Sequence, residues 1–578
     1  GEFLFIAHSP NIVPVEGIVV PILIGDDPAI TLVAPSSPAG PAIQADAKVR
    51  IMRLTSGPAA ATELAAIEFP GIYQINGLYL RLTADSKRQL NVLISDANST
   101  YVRAFDVTDA AKPALMWEWK TDGSIVSSRR IDNQLYLISQ FYPFAGLPFE
   151  PLPLNATRIA SNSATISRLD SDVVMPDTKF NGEPRNTITA NDCLVPVAAD
   201  PVQRITPNMS MVFAWRVDLD NPSAVKSFCT LDTSGNVYAS TSALYLLRHD
   251  LDASVVHKIS FVPEGFRYAG SASVPGTVMR ADSFQLSEHN GDLRIVTTQM
   301  GTSVITVDGV PSEIIFQPSE LKHRLFVLRE SGAGDNLLKT IAQLPNPQRP
   351  DTIGKPNEQL FAVRFVGPRA YLVTFLRTDP FYVVDLSNPA DPFVAGELQL
   401  PGFSDYLHPF GASLILGVGH EATDTGQTMG VKVGLFDVSD PAAPRIVGDQ
   451  VIGKRGSSTP VSYDHHAFTV LTSDSGGPHR VAVPVEVYEP PSPFGSYFFD
   501  WTYSGLFLFE VTEAAGQQAP KLAQAGTLTA QRATTRPPDA NPFGLRRSII
   551  VGDDVHFVST NQVWSAPWSD PKSSIGPQ

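Results

Sequence analysis

Charge and cysteine are both scarce in this sequence. Charged residues make up 17% of the 578 residues, below the ~25% of an average globular protein, while hydrophobic residues make up 43%. A chain with this balance can bury a large core, so disorder is excluded. Long apolar runs are also missing, because the stretch GIVVPILIG at 17–25 is far shorter than the ~20 residues that span a bilayer. No transmembrane segment is predicted.

Positive charge is scarce as well, and the formal net charge is −15 without any block of like charges. Such a chain repels phosphate backbones and anionic lipid heads, so nucleic acid is excluded as a general partner. The two cysteines, Cys193 and Cys229, are candidates for one disulfide in an oxidising compartment. The alternative is a pair of unrelated buried thiols.

Proline and glycine, by contrast, are abundant. The 49 prolines and 41 glycines are spread along the chain, as expected for many turns. One phrase recurs among them. It reads FYVVDLSNPADP around Asp385 and VGLFDVSDPAAP around Asp437, 52 residues later. Related copies surround Asp106, Asp218 and, more weakly, Glu510.

Each copy of this phrase predicts a corner between two strands. Alternating apolar residues before the aspartate form a half-buried strand, and Asp or Asn followed by Pro favours a turn. A strand pair with its own tight turn precedes the corner, for example LFAVRFVGPRAYLVTF at 360–375. The unit is therefore a four-stranded meander of about 50 residues, which is typical of a β-propeller blade.

The expected fold is all-β: a single β-propeller over residues 1–578, with four-stranded antiparallel blades. Nine corners are present, but the first unit lacks an inner strand and the last lacks an outer one, so eight or nine blades are expected. Proline-rich loop insertions are expected at about 10–47, 141–191 and 473–500. No segment of helical period is long enough to require a helical domain.

Several stretches, in their order along the chain, resemble a known family. They are DGSIVSSRRIDNQLYLIS at 122–139, GNVYASTSALYL at 235–246, EHNGDLRIVTT at 288–298, PGFSDYLHPFG at 401–411 and KRGSSTPVSYDHHAF at 454–468. With them, the chain resembles the secreted bacterial and archaeal β-propeller domain family, which is distantly related to WD-repeat proteins. The resemblance implies a propeller fold and export, to the periplasm, the cell surface or the extracellular space. It implies no activity, so no catalytic residues are assigned.

Polar side chains on the innermost strands would face the central channel of such a ring. The candidates for ligand binding at the channel mouth are Arg129, Arg364, Asp405, His408, Arg455, Asp464 and His465. Mixed carboxylate, imidazole and guanidinium groups suit an anion, a metal or a polar ligand. The alternative is that these groups satisfy one another between crowded strands.

The sequence contains only weak signals for a metal-binding site. Asp464, His465 and His466 are adjacent, but neighbouring side chains on a strand point to opposite faces, and no HxxxH or CxxC motif accompanies them. Calcium is possible at the acidic segments 168–177 and 25–28, although neither has the spacing of an EF-hand loop. No other cofactor is predicted.

Three functions remain open. The favoured one is an exported, non-catalytic scaffold that binds a protein or a glycan through the aromatic stretches 141–155 and 487–505, which should then be exposed together. The second is an enzyme whose site at the channel mouth uses Asp405, His408, Arg455, Asp464 and His465. The third is a structural subunit of an extracellular assembly, which should show an unpaired edge strand at 2–8 or in the last unit. The sequence does not predict the oligomeric state.

Overall fold

The computed structural model describes most of the chain. The described residues are 3–9, 46–54, 61–143, 156–170, 174–185, 187–195, 210–232, 236–249, 252–278, 283–307, 310–332, 334–376, 379–423, 425–474, 476–491, 499–515, 518–532, 546–559 and 562–578. The insertion expected at 10–47 therefore lies outside the described residues except at its last two positions.

The first part of the chain forms three antiparallel sheets. Its strands are β1 (Phe3–His8), β2 (Ala47–Arg53), β3 (Thr62–Phe69), β4 (Gln74–Leu82), β5 (Arg88–Ser95), β6 (Ser99–Asp106), β7 (Ala114–Asp122), β8 (Ser124–Ile131), β9 (Gln134–Phe141), β10 (Thr178–Phe180), β11 (Glu183–Pro184), β12 (Met211–Asp218) and β13 (Val225–Thr230). Strands β1 to β3 form blade 1, β4 to β7 form blade 2, and β8, β9, β12 and β13 form blade 3. The insertion between β9 and β12 carries helix α1 (Ala156–Ile166) and adds β10 and β11 to the outer edge of blade 2.

The rest of the chain forms six more sheets, blades 4 to 9. Their strands are β14 (Asn236–Ala239), β15 (Ala243–His249), β16 (Ala253–Val262), β17 (Gly265–Pro275), β18 (Leu286–His289), β19 (Asp292–Val307), β20 (Val310–Glu330), β21 (Leu338–Leu344), β22 (Gln359–Val366), β23 (Arg369–Phe375), β24 (Asp379–Asp385), β25 (Phe393–Leu400), β26 (Phe403–Phe410), β27 (Leu414–Ala422), β28 (Thr428–Asp437), β29 (Arg445–Ile452), β30 (Thr469–Leu471), β31 (His479–Pro491), β32 (Phe499–Thr512), β33 (Lys521–Arg532), β34 (Arg546–Val551), β35 (Asp554–Ser559) and β36 (Gln562–Pro567). Each blade takes four consecutive strands except blade 9, which has β34 to β36. Short 3-10 helices lie at Ala190–Asp192, Ser283–Gln285, Pro460–Ser462, His465–Ala467 and Pro571–Ser573.

The described strands make a nine-bladed β-propeller, so the propeller fold is confirmed and the blade number is nine. Blades 2 to 8 contain a four-stranded meander, and blades 1 and 9 show three strands each. The stretch expected as an insertion at 473–500 is largely strand, because β31 continues as far as Pro491 and β32 begins at Phe499. None of the helices in the described residues is long and apolar enough to cross a membrane.

Each copy of the repeated phrase forms the corner between the third and fourth strands of its blade, as expected, in blades 2, 3, 6, 7 and 8. At the end of β28, the Asp437 carboxylate accepts a 3.0 Å hydrogen bond from the Ser439 backbone and a 2.8 Å bond from Arg445, which begins β29. The second acidic residue of the phrase, Asp440, accepts a bond from the Ala442 backbone. These side-chain bonds to nearby backbone replace the ladder where the strand stops, which explains the recurrence of Asp at this place.

The ring closes through side-chain packing. An apolar cluster lies between every two consecutive blades, and the last of them joins blade 9 to blade 1. In that closing cluster Leu4 and Ile6 of β1 pack with Val558 of β35 and Val563 of β36. Among the described strands, none from one end of the chain pairs into the sheet of the other end. Each fully buried aliphatic side chain contributes about 1.5–3 kcal/mol, so closure rests on apolar burial.

The outer edge of blade 9 is partly covered by the end of the described chain. Ile575 exchanges two backbone hydrogen bonds with Ser565 of β36, and Gln578 exchanges two with Val563. This short segment stands where a fourth strand would lie.

Candidate functional site

A cavity of about 1420 Å³ lies where the first strands of the blades meet. Its wall is built from β1, β4, β8, β14, β26 and β34 and from the two 3-10 helices that lead into blade 8. Four of the seven candidate residues line it: Arg129, Asp405, Asp464 and His465. We call this space the central cavity.

Asp464 and His465 are placed by a turn. The expectation that the Asp464–His466 stretch is a strand is wrong, because Asp464 caps the 3-10 helix His465–Ala467 by accepting a 3.1 Å bond from the His466 backbone. The other carboxylate oxygen of Asp464 accepts a 2.6 Å bond from Arg547 of β34. Burial raises the pKa of Asp464, but the hydrogen bond from His466 and the charge of Arg547 outweigh it and lower the pKa to about 2. Asp464 is therefore an ionised, paired carboxylate.

His465 lies in a cluster of rings and cations. Its ring contacts His466 at 4.0 Å and the edge of Phe284 at 4.9 Å between centroids. The guanidinium of Arg364 lies over the same Phe284 ring, 4.6 Å from its centre. Burial and the neighbouring His466, followed by the charges of Arg129 and Arg364, lower the pKa of His465 to about 4 against the opposing effect of Asp464. The ring is neutral at neutral pH.

Arg129 and Arg130 differ because β8 is a strand whose side chains alternate. Arg130 donates hydrogen bonds to the carbonyl oxygens of Leu80 and Asp132. Both arginines border the central cavity, but the Arg129 side chain is exposed and has no hydrogen-bond or ion-pair partner among the described residues.

Asp405 of β26 is buried and engaged. Its carboxylate accepts a 2.7 Å bond from Ser462 and lies 3.4 Å from Nδ1 of His420. The Asp405 side chain is 4% exposed, so only its edge reaches the central cavity.

His408, Arg364 and Arg455 are not on the cavity lining. The His408 ring packs at a tilt against Phe468, with 4.9 Å between the ring centroids, and its Nδ1 lies 3.2 Å from the Tyr406 hydroxyl. Burial, followed by the charges of Arg364 and His479, lowers the pKa of His408 to about 4. Arg455 follows the outer strand β29. The five residues of the enzyme hypothesis therefore do not converge as one set.

The described residues hold no cluster of three or more His, Cys, Asp or Glu side chains able to bind a metal ion. Of the two acidic segments considered for calcium, 25–28 lies outside the described residues.

The aromatic stretches are only partly described, since 144–155 and 492–498 lie outside the described residues. In the second stretch, Trp501 is 8% exposed and donates a 2.8 Å bond to the buried carboxylate of Glu486. In the first, Tyr142 is 52% exposed. Whether the two stretches share one exposed face stays a prediction.

Cys193 and Cys229 form a disulfide, with 4.7 Å between their Cα atoms. Cys193 follows the insertion helix Ala190–Asp192, and Cys229 lies in β13, the outer strand of blade 3. The bond therefore ties the end of the insertion to the ring.

Comparison with known proteins agrees with this geometry. The family model described as beta propeller domain matches residues 43–570. The chain belongs to this family.

Two relatives of this beta propeller domain protein come from archaea. An uncharacterized protein of Archaeoglobus fulgidus is 27% identical in an alignment 454 residues long that covers 69% of this chain and 65% of that protein. An uncharacterized protein of Methanocaldococcus jannaschii is 33% identical in an alignment 425 residues long that covers 64% of this chain and 61% of that protein. The chain thus spans less than two thirds of either relative.

Solved structures show only a distant similarity to this chain. One chain from an analysis of two prolyl endopeptidases is 13% identical with a TM-score of 0.32, covering 81% of this chain and 52% of that one. The cobalt-substituted apocarotenoid oxygenase of Synechocystis is 9% identical with a TM-score of 0.27, covering 56% and 69%.

Sequence reasoning missed three residues of the propeller's central region. Arg547 pairs with Asp464, its neighbour Arg546 pairs with the buried Glu486, and Phe284 connects Arg364 to His465. The two arginines begin an innermost strand, so the rule that selected Arg129 would also have selected them. No sequence signal marks Phe284, because its role depends on three separate blades.

Proposed function

We propose that this beta propeller domain protein is an exported, non-catalytic binding module that holds a glycan in its central cavity. The observation that carries the proposal is the cavity itself: about 1420 Å³ at the centre of the ring. Small-molecule sites usually measure about 300–1,000 Å³. A space of this size, lined by inner strands, suits an extended oligomer better than a folded partner domain.

The lining supports a glycan. The aromatic residues Phe5, Tyr79 and Tyr463 lie on the wall beside residues with hydroxyl, carboxylate and guanidinium groups, and Tyr463 is 57% exposed. Aromatic rings pack against the apolar C–H faces of sugars, while polar groups bind their hydroxyls.

The titratable groups support a binding role over catalysis. A general acid or base works best when its pKa lies near the working pH. The pKa of Asp464 is about 2 and that of His465 is about 4, so neither is poised to exchange a proton near neutrality.

The disulfide supports export, because such bonds persist mainly in oxidising compartments. Fractionation of the native cells tests this point. Recovery of the chain with cytosolic markers would contradict export.

A matched pair of substitutions tests the binding proposal. Ala7 lies on the cavity wall and Ala114 is exposed on the outer strand β7. Ala7→Trp should weaken binding of an oligosaccharide selected on a glycan array by about 10-fold or more, because the indole takes up space at the cavity wall that the ligand would occupy. Ala114→Trp should bind as the wild type does. Equal affinities for the three proteins, by titration calorimetry, would overturn the proposal.

A further inference from the structure

We propose that the central cavity binds an oxyanion, a carboxylate or phosphate group carried by the ligand, at the wall formed by Arg129 and His465. The identity of the ligand as a glycan rests on the proposed function, but the charge of the site rests on its own contacts.

The proposed site contains the guanidinium group of Arg129. It is exposed into the cavity and has no partner among the described residues, whereas the adjacent Arg130 is held by two backbone carbonyls. Arginine presents a fork of N–H donors that matches a carboxylate or phosphate.

The described carboxylates on the cavity lining have other partners or form no ion pair with Arg129. Asp464 is paired with Arg547 at 2.6 Å, and Asp405 accepts a 2.7 Å bond from Ser462. Asp132 lies in the turn after β8, and no ion pair joins its carboxylate to Arg129 among the described residues. No internal carboxylate on the described lining neutralises Arg129.

A second cation, Arg364, lies behind the wall of the central cavity. Arg364 lies over Phe284, whose ring edge contacts His465. No described carboxylate pairs with Arg364, and burial lowers its pKa. A partly buried charge without a partner is unfavourable, so an oxyanion near His465 would be stabilised by both arginines.

The net negative charge of the whole chain distinguishes this site from the rest of the protein. With a net charge of −15, the protein repels anions in general. Anion binding is therefore expected only where cations are locally unpaired, and it should weaken as salt screens the attraction.

The test uses small probes on the full chain. Glucuronate is a sugar with a carboxylate, and inorganic phosphate is an oxyanion without a sugar. Glucose is a neutral sugar and serves as the control. We expect glucuronate or phosphate to shift the histidine NMR signals of His465 in saturable titrations, and glucose to bind at least about 5-fold more weakly. The stronger of the two anions identifies the group that the site prefers.

Two variants assign the effect. Arg129→Gln should weaken anion binding by about 10-fold, as expected for a charge-assisted contact. Arg53→Gln is the matched control, because Arg53 is exposed at the end of β2 and is not on the cavity lining. Arg364→Gln should give a smaller loss, since it acts through Phe284.

The outcomes separate the two proposals. Anion affinity that is unchanged in Arg129→Gln, or glucose binding as tight as glucuronate, would overturn the charge assignment while leaving glycan binding in place. An effect of Arg129→Gln on anions together with no effect of Ala7→Trp on oligosaccharides would contradict the glycan proposal and keep the anion site.

Discussion

Arg547, in the first strand of blade 9, donates a 2.6 Å hydrogen bond to the carboxylate of Asp464, 83 residues earlier in the segment that leads into blade 8. The pair connects two neighbouring blades at the cavity wall. It also consumes a negative charge that would otherwise be available to Arg129, so it affects both the stability of the ring and the sign of the site.

The Asp464 pair should be visible as a pH-dependent stability. The pKa of Asp464 falls from its ordinary 3.8 to about 2 on folding, so the stabilisation is present above about pH 4 and is lost as the pH falls toward 2. Asp464→Asn should remove about 1–2 kcal/mol near pH 6, allowing for partial exposure. Urea unfolding at several pH values measures this. A wild-type advantage that persists undiminished near pH 2 would contradict it.

His408 should contribute to loss of stability in mild acid. Burial and nearby positive charges lower the pKa of His408 from 6.5 to about 4, so the unfolded chain takes up a proton first. Its contribution is complete above about pH 6.5 and decreases as the pH falls to about 4, by at most about 3 kcal/mol. His408→Phe keeps the packing on Phe468 and should flatten this part of the curve. Parallel curves for variant and wild type would rule out His408 as the cause.

Glu486 should be essential for the seam between blades 8 and 9. Its carboxylate is 2% exposed, accepts 2.8 Å bonds from Trp501 and Ser504, and pairs with Arg546. Glu486→Ala leaves a buried guanidinium without its partner and should cost about 3–5 kcal/mol in thermal or urea unfolding. The double variant Glu486→Leu with Arg546→Met should recover part of this loss. If the double variant is as unstable as Glu486→Ala, packing and not charge accounts for the effect.

Ring closure should depend on Ile6. This side chain is 3% exposed in the cluster between blades 9 and 1, so Ile6→Ala should cost about 2–5 kcal/mol. Ile159→Ala is the matched control, because Ile159 on α1 is 51% exposed. The melting temperatures of the two variants give the comparison. Equal melting temperatures would mean that this cluster does not hold the ring closed.

The candidate site was only partly predictable, and β26 shows the reason. Asp405 and His408 both lie on this strand, yet only Asp405 reaches the central cavity. Side chains three residues apart on a strand point to opposite faces, and a register irregularity that no residue pattern announces lies at Asp405 itself, between Ser404 and Tyr406. Membership of an inner strand can be inferred from the repeat, whereas the direction of one side chain depends on the local pleat.

The disulfide illustrates the same limit. The sequence left a bond or two separate thiols equally open at Cys193 and Cys229. The pairing follows from the insertion returning to β13, a path that depends on contacts far apart in the chain.

The sequence by itself determined the blade, because the corner at Asp437 is made by hydrogen bonds to Ser439 and Arg445, within eight residues. Interactions of such short range recur wherever the phrase recurs. Only the tertiary structure decided that the ring closes with nine blades and that Arg129 has no side-chain partner among the described residues. Both depend on contacts between residues of distant blades, and the local sequence does not specify those contacts.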